Sequence, residues 1–246
     1  ALQARLLDAL WPLLAPGVIV DEDGQRLVNT WHPPKVRRVI GDVSPFLRHL
    51  EKLLPEESDR LALLHYLANM VQNKGRKFQF APLIVGAQGN GKTFFSRCIT
   101  HALGKQYVFA PKPQHLGKQF NAWMAEKLAY VVEDVFVNDA SLLETMKPLI
   151  TSERIEIEGK GVDQVTAEVC GNFIFNSNRR DAIQKTGDDR RYMVLWCAQQ
   201  SPEDRLRDGM GDAYFSDLYG WACDRDGYAI VAEYLHTLPL PADRGL

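Results

Sequence analysis

The sequence has no long apolar run and no paired cysteines. Its four cysteines are Cys98, Cys170, Cys197 and Cys223, and none belongs to a CxxC pair or a His-rich cluster. This spacing supports neither a zinc site nor a disulfide framework, and it favours reduced thiols in a cytosolic setting. Because no apolar run approaches the length of a bilayer span, we expect no membrane partner.

An excess of basic residues is also missing. The chain has 29 Lys and Arg against 31 Asp and Glu, a formal net charge of −2 and a pI of about 6.3. This balance excludes a protein with a strongly basic surface throughout. Any contact with nucleic acid therefore has to come from a local patch or from an assembled surface.

The N-terminal segment is apolar but interrupted. Asp8 and Pro12 break up residues 1–17, so this stretch predicts a short amphipathic helix and not a signal peptide. The chain begins with Ala1 instead of methionine. We therefore expect a fragment of a longer protein, although processing would explain this start equally well.

The length of 246 residues suits one large α/β domain, or a core domain with a small appendage. The predicted segments are an N-terminal part with a short β-hairpin (1–43), a helical block (44–76), a core (77–200) and a helical C-terminal part (201–246). Within the core, strands are predicted at 81–85, 106–110, 128–132, 172–175 and 192–196, helices at 92–103, 120–127 and 141–150, and a hairpin at 154–169. Strands that alternate with helices favour an α/β fold whose parallel sheet is covered on both faces.

A glycine-rich loop follows the first core strand. Residues 86–93 have the sequence GAQGNGKT, which matches the P-loop pattern GxxxxGK[ST]. In this pattern the backbone N–H groups surround phosphates, Lys92 reaches the β- and γ-phosphates, and the Thr93 hydroxyl binds Mg²⁺. A chance match in a flexible loop is the alternative, and the strand before and helix after the loop disfavour it. The residues expected to bind ATP are Gly86, Ala87, Gln88, Gly89, Asn90, Gly91, Lys92, Thr93 and Phe94.

Polar side chains end two later strands of the core. Glu133 and Asp134 follow an apolar strand, so one carboxylate is expected to hold Mg²⁺ and the other to polarise the attacking water. Solvated acids at a strand end are the alternative. Asn176 and Asn178 end the next strand, where an amide can orient water or contact the γ-phosphate. Taken alone, the Asn-Ser-Asn run is more typical of a turn.

Two further features concern basic residues. Arg190 and Arg191 directly precede a strand, where one of them could reach the γ-phosphate of a neighbouring subunit. A surface salt bridge with Asp188 or Asp189 is the alternative. Lys160 lies at the predicted hairpin tip and could contact a nucleic-acid backbone, although an isolated tip of this kind is more often simply solvated.

Taken in order, these motifs resemble a known family. GAQGNGKT, VVEDV, the IEIEGKG hairpin, IFNSN and DDRRYMVL are similar to the motifs of the superfamily 3 helicase core, and most closely to phage and plasmid primase-helicases. The resemblance covers about residues 45–236. It implies an AAA+-like P-loop ATPase that assembles into hexamers around DNA, with residues 44–76 as part of a collar between subunits.

The resemblance also implies residue roles. Residues 86–93 correspond to the Walker A loop, Glu133 and Asp134 to the Walker B acids, Asn178 to the sensor asparagine, Lys160 to the DNA-tracking lysine, and Arg190 or Arg191 to the arginine finger that acts across subunits. The acids occur here in the order Glu-Asp where most AAA+ proteins have Asp-Glu, which leaves the metal and base roles open. Val162 replaces a second basic or aromatic residue of the family's hairpin.

The leading hypothesis is therefore an ATP- and Mg²⁺-dependent DNA helicase. It would act as a homo-oligomer, expected to be a hexamer, with single-stranded DNA in a central pore. A primase domain in the full-length chain and a location in the cytoplasm of a bacterial host follow from the same resemblance. A P-loop phosphotransferase and a loader- or switch-type AAA+ ATPase without unwinding activity are the alternatives.

Overall fold

A computed structural model describes residues 7–9, 12, 17, 19–22, 25–29, 31–112, 116, 121–133, 140–157, 165–178 and 189–241. Its strands are β1 Leu7–Ala9, β2 Ile19–Glu22, β3 Gln25–Asn29, β4 Ala81–Val85, β5 Val108–Phe109, β6 Ala129–Val132, β7 Arg154–Ile157, β8 Val165–Glu168, β9 Asn172–Ser177 and β10 Tyr192–Trp196. Its α-helices are α1 Ser44–Leu53, α2 Glu57–Gln72, α3 Thr93–Leu103, α4 Ala140–Thr151, α5 Pro202–Arg207, α6 Asp212–Asp224 and α7 Gly227–Thr237.

Five of the described strands form the central sheet. Their order is β10-β4-β9-β6-β5, and each neighbouring pair is parallel. In register, Val85 lies beside Ser177 on one side and beside Trp196 on the other. The carboxyl ends of β4, β9 and β10 therefore meet at one edge of the sheet, which is where α/β proteins bind ligands. The α/β class and the parallel sheet predicted from the sequence are confirmed.

Successive side chains along each strand point to opposite faces of the central sheet, and each face packs against a different core. In β4, Leu83 and Val85 face a core that includes Met146 and Ile150 of α4. Ile84 faces the opposite core, which α1, α2, α3, α6 and α7 cover. This division follows from the two-residue period of a strand, and each of these β4 side chains is fully buried.

The helical block at 44–76 contributes to the second of these cores. Phe46 of α1 packs against Phe94 and Phe95 of α3, with ring centroids 6.4 and 5.8 Å apart. α2 packs against α7, and the Gln72 side chain donates to the carbonyl oxygens of Leu235 and Leu238. The block expected as a small collar-type domain thus shares one apolar core with the sheet. A collar role between subunits stays a prediction.

Two smaller sheets lie outside the central one. β2 and β3 pair antiparallel, and β1 pairs parallel with β3. The predicted amphipathic helix at 1–17 is therefore wrong for Leu7–Ala9, whose backbone pairs with Leu27–Asn29. β7 and β8 pair antiparallel and form the base of the predicted hairpin.

The predicted helix at 120–127 is also wrong. Only Ala122–Met124 form a single 3-10 turn. Glu126 has φ of 57°, which lies in the left-handed region and cannot continue a right-handed helix. The predicted strand at 106–110 is shorter than expected, since Lys105–Tyr107 form another 3-10 turn and only Val108–Phe109 pair with β6.

Among the described residues, none of the helices combines the length and the apolar character needed to cross a lipid bilayer.

Candidate functional site

Three sequence motifs meet at the carboxyl edge of the central sheet. The glycine-rich loop follows β4, Glu133 follows β6 and Asn178 follows β9. Together they line a cavity of about 420 Å³, in the size range of small-molecule sites. The parallel sheet thus brings Glu133 and Asn178 to the loop, although they lie 40 and 85 positions beyond Thr93 in the chain.

The Lys92 side chain is folded back onto its own loop. Its Nζ donates to the carbonyl oxygens of Gly86 and Ala87, each at 3.0 Å, and approaches Asn90 Oδ1 at 3.4 Å. The side chain is buried, so the loop oxygens take the place of water around its charge. A phosphate at this loop would offer the ammonium group stronger acceptors than these neutral carbonyls.

Thr93 and Glu133 join the loop to the neighbouring strand end. The Thr93 hydroxyl donates to Glu133 Oε2 at 3.1 Å. Glu133 Oε1 is buried and has no hydrogen-bond partner among the described residues. A hydroxyl and a carboxylate with a spare buried oxygen are the hard oxygen ligands that Mg²⁺ prefers, so these residues fit a Mg²⁺ ion.

The two asparagines of the Asn-Ser-Asn run have different positions. Asn178 is exposed and lines the cavity. Asn176 is fully buried, and its Nδ2 donates to Ser96 Oγ of α3 at 3.1 Å. Side chains two residues apart share a face of a strand, so alternation does not account for the difference. Asn176 lies within β9, whereas Asn178 lies beyond the end of this strand and lines the cavity.

An aromatic wall from α6 completes the cavity. Phe215 and Tyr219 line it beside the loop, and the guanidinium of Arg97 lies 5.0 Å from the centre of the Tyr219 ring. Sequence reasoning missed both aromatic residues. Their spacing of four residues, which places them on one face of a helix, was the signal available.

His49 of α1 contacts the glycine-rich loop at Gly91. Sequence reasoning missed this residue as well. Its Nε2 is 3.1 Å from the Gly91 carbonyl oxygen, and its Nδ1 is 2.9 Å from the Tyr214 hydroxyl. These contacts assign the proton to Nε2, which donates to Gly91, while Nδ1 accepts from Tyr214. Gly91 has φ of 91°, and a Cβ there would lie 2.5 Å from the His49 ring, so only glycine fits this position.

The buried His49 should make stability depend on pH. Burial lowers the pKa of His49 to about 4, and the nearby Lys52 charge acts in the same direction. The unfolded chain takes up a proton near pH 6.5 and the folded protein only near pH 4. Stability is therefore fully present above about pH 6.5 and is lost as the pH falls through 4, by roughly 3 kcal/mol in total.

Urea unfolding between pH 4 and pH 7 measures this effect. In the His49→Gln variant, the free energy of unfolding should fall less over this range than in the wild type, by roughly the same 3 kcal/mol. Carboxylates titrate in both proteins, so the difference isolates His49. Equal pH dependence in the two proteins would contradict the assignment.

The segment after β10, residues 197–200, is bound directly to the loop. Ala87 N donates to the Gln199 carbonyl oxygen at 2.8 Å, and the Gln200 side chain donates to the Val85 carbonyl oxygen at 3.1 Å. Gln199 also donates to the Lys52 carbonyl oxygen and to Asp208 Oδ2. The loop is thus held from three sides: by β4, by α1 and by this segment.

The predicted arginines lie at the opposite edge of the sheet. Arg191 directly precedes β10, and its carbonyl oxygen accepts from Ala81 N at the start of β4. The length of β4 puts about 16 Å between them and the loop of the same chain. Neither arginine therefore belongs to the cavity described above.

Arg191 and Arg190 differ in their partners. Arg191 binds Asp189 through Nε at 3.0 Å and Nη2 at 3.2 Å, and Lys147 binds the same carboxylate at 2.7 Å. These hydrogen bonds hold the pKa of Asp189 well below its usual range, and the bond from Arg191 has the largest effect. Arg191 thus forms the salt bridge with Asp189 that the sequence analysis gave as the alternative to an arginine finger. Arg190 is exposed, and no hydrogen bond or ion pair joins it to another described residue.

Two of the other predicted site residues, Asp134 and Lys160, lie outside the described residues. The Phe94 side chain is fully buried in the apolar core between α1, α6 and α7, so the prediction that it contacts the nucleotide is not supported. Its place is explained by the helical phase of α3, which turns it away from the cavity.

These features define an α/β protein with a five-stranded parallel sheet, helices on both faces and a polar site at its carboxyl edge. A family model described as a family of unknown function (DUF5906) matches residues 84–191. The chain is similar to the DNA primase-polymerase of Nitratiruptor phage NrS-1, with 24% identity over 185 residues, which is 72% of this chain and 26% of that protein. It thus spans about a quarter of this curated relative.

Solved structures of the NrS-1 C-terminal region have the same fold. Two apo structures give TM-scores of 0.74 and 0.73, at 20% and 21% identity. Each covers 95% of this chain and 55% of the other. The likeness therefore extends beyond the family match to nearly all of the chain, including α1, α2 and the C-terminal helices.

Proposed function

We propose that this chain is an ATP-hydrolysing motor of the superfamily 3 helicase type, working on DNA as part of a phage-type replication protein. The observation that carries the proposal is the contact of Thr93 with Glu133 beside Lys92. This contact supports the proposal because it brings together the two parts that a P-loop site would need, a phosphate loop and an acid for the metal, from separate strands.

The roles of the residues follow from their chemistry. Backbone N–H groups of residues 88–92 and the amino end of α3 would bind the phosphates, and Lys92 would neutralise the β- and γ-phosphates. Thr93 and Glu133, with Asp134, would hold Mg²⁺, which draws charge from the phosphate oxygens. An acid of the Glu-Asp pair and Asn178 would orient the attacking water.

The position of Arg190 supports an oligomeric enzyme. Arg190 has no partner among the described residues and lies too far from the loop of its own chain, but it would reach the loop of a neighbour packed edge to edge. Of the two arginines, only Arg190 is exposed and without a described partner, so it is the one we assign as the arginine finger. Each complete site would then need two subunits.

Support for DNA as the partner comes from the relative. The NrS-1 protein is named a DNA primase-polymerase, and this chain is similar to part of it. A replication role is consistent with the net charge, because only the surface facing DNA has to be basic. Lys160, which lies between β7 and β8 in the sequence, would supply that charge, repeated once per subunit.

ATP hydrolysis in the presence and absence of single-stranded DNA tests the proposal. We expect a basal rate that rises several-fold with DNA, and displacement of a labelled strand from a forked duplex that requires hydrolysable ATP. Double-stranded DNA of the same sequence serves as the control. Hydrolysis without DNA stimulation would exclude a DNA motor, and an absence of nucleotide binding would exclude the P-loop assignment.

A further inference from the structure

Arg205 lies against the glycine-rich loop from the C-terminal side. It is on α5, which begins directly after the segment 197–200 that is bonded to Ala87 and Val85. A capping box between Ser201 and Asp204 fixes the start of this helix, and Met210 N donates to the Arg205 carbonyl oxygen. The backbone of Arg205 is thus held in place relative to the loop.

Gly89 makes room for the guanidinium group. A Cβ built on Gly89 would lie 3.0 Å from Arg205 Nη1 and 4.0 Å from Cζ. Gly89 also has φ of 76°, a backbone conformation that side chains rarely adopt. The loop therefore presents bare backbone at this point, and the arginine occupies the space that a side chain would fill.

The guanidinium group lacks a full set of acceptors. Arg205 Nε is buried and has no hydrogen-bond partner among the described residues. Arg207 on the same helix binds Asp204 at 2.6 Å and Asp208 at 2.9 Å. The carboxylates of Asp204 and Asp208 are therefore paired with Arg207 and not with Arg205. A buried donor without an acceptor is unfavourable, and it is typical of a site where the acceptor arrives with a ligand.

We propose that Arg205 contacts the phosphates of the nucleotide bound to the loop of its own chain. This rests on the proposed function, since it needs a nucleotide at the loop. Phosphate oxygens match the planar fork of a guanidinium group, and the loop would bring them beside Gly89. Arg205 acts in cis, and so it differs from Arg190 at the far edge of the sheet.

Equilibrium binding of a fluorescent, non-hydrolysable ATP analogue with Mg²⁺ tests this role. Arg205→Gln should weaken binding by about 10- to 100-fold, the usual effect of losing a charged hydrogen bond. Arg205→Lys should recover only part of the loss, because an ammonium group keeps the charge without the fork. The matched control is Arg207→Gln on the same helix, which should bind within about twofold of the wild type.

The thermal unfolding midpoint, measured without nucleotide, distinguishes a direct contact between Arg205 and the nucleotide from a role of Arg205 in stabilising the fold. It should be the same for Arg205→Lys and the wild type, although their affinities differ. Wild-type affinity in both Arg205 variants, or an equal loss in Arg207→Gln, overturns the assignment. If Arg205→Gln does not fold, Arg205→Lys decides by the same criterion. A wild-type protein that binds no analogue overturns the nucleotide site itself, whereas a wild type that binds while the Arg205 variants match it overturns only this role.

Discussion

The Lys92→Ala protein is expected to hydrolyse ATP at least about 10³-fold more slowly than the wild type. Lys92 is the one side-chain cation of the loop, and it is already positioned at 3.0 Å from two loop carbonyls. Charge that develops on the transferred phosphate would lose its closest compensating group. Removal of a single preorganised donor costs about 10²- to 10³-fold in comparable sites, and here a full charge is lost as well.

Lys92→Ala also removes hydrogen bonds to the carbonyl oxygens of Gly86 and Ala87, so folding has to be measured with activity. Lys105→Ala is a suitable control, because Lys105 is exposed on a 3-10 turn away from the loop. Steady-state phosphate release at saturating ATP gives the rate, and circular dichroism gives the unfolding midpoint. Retention of the wild-type rate in a folded Lys92→Ala protein would refute the P-loop assignment.

The second large effect is expected at the opposite edge of the sheet. Arg190→Ala should lower the turnover number by about 10³-fold while nucleotide binding is largely kept, as is usual for an arginine finger. Arg191→Ala should instead destabilise the protein, because Asp189 would lose its principal partner. Measuring both the turnover number and the unfolding midpoint of each variant therefore distinguishes the proposed catalytic role of Arg190 from the structural role of Arg191.

Mixed assemblies test whether Arg190 acts in trans. An Arg190→Ala subunit keeps an intact loop, and a Lys92→Ala subunit keeps an intact arginine. In an equal mixture of a head-to-tail ring, about a quarter of the interfaces combine the two intact halves. ATPase activity should return to a comparable fraction of the wild-type rate. A mixture as inactive as its components would place the catalytic arginine elsewhere.

Much of the central sheet could be predicted from the sequence. The bounds of β4 and β10 agree with the predicted 81–85 and 192–196. Both are apolar runs with a clear boundary on one side, since β4 ends at the glycine-rich loop and β10 begins directly after Arg190 and Arg191. The approach of Glu133 and Asn178 to the loop could also be expected, since each follows a strand and parallel strands end at one edge.

The supports of the loop could not be predicted in the same way. His49 and Arg205 touch Gly91 and Gly89 from 42 and 116 positions away, and neither has a local pattern that indicates such a contact. The failed helix at 120–127 has a local cause in Glu126, whose left-handed backbone no propensity indicates. The choice between Arg190 and Arg191 required the geometry of Asp189 and Lys147.

Because the loop and Arg190 lie at opposite ends of the strands, each subunit has two different ends through which it could meet a neighbour. If Arg190 acts on a neighbouring subunit as proposed, an open row of subunits would always end in one loop without an arginine and one arginine without a loop. Closing the row into a ring would remove both of these incomplete ends. Hydrolysis per subunit would then rise with protein concentration and level off at closure, so that ring assembly itself would act as the switch that turns the motor on.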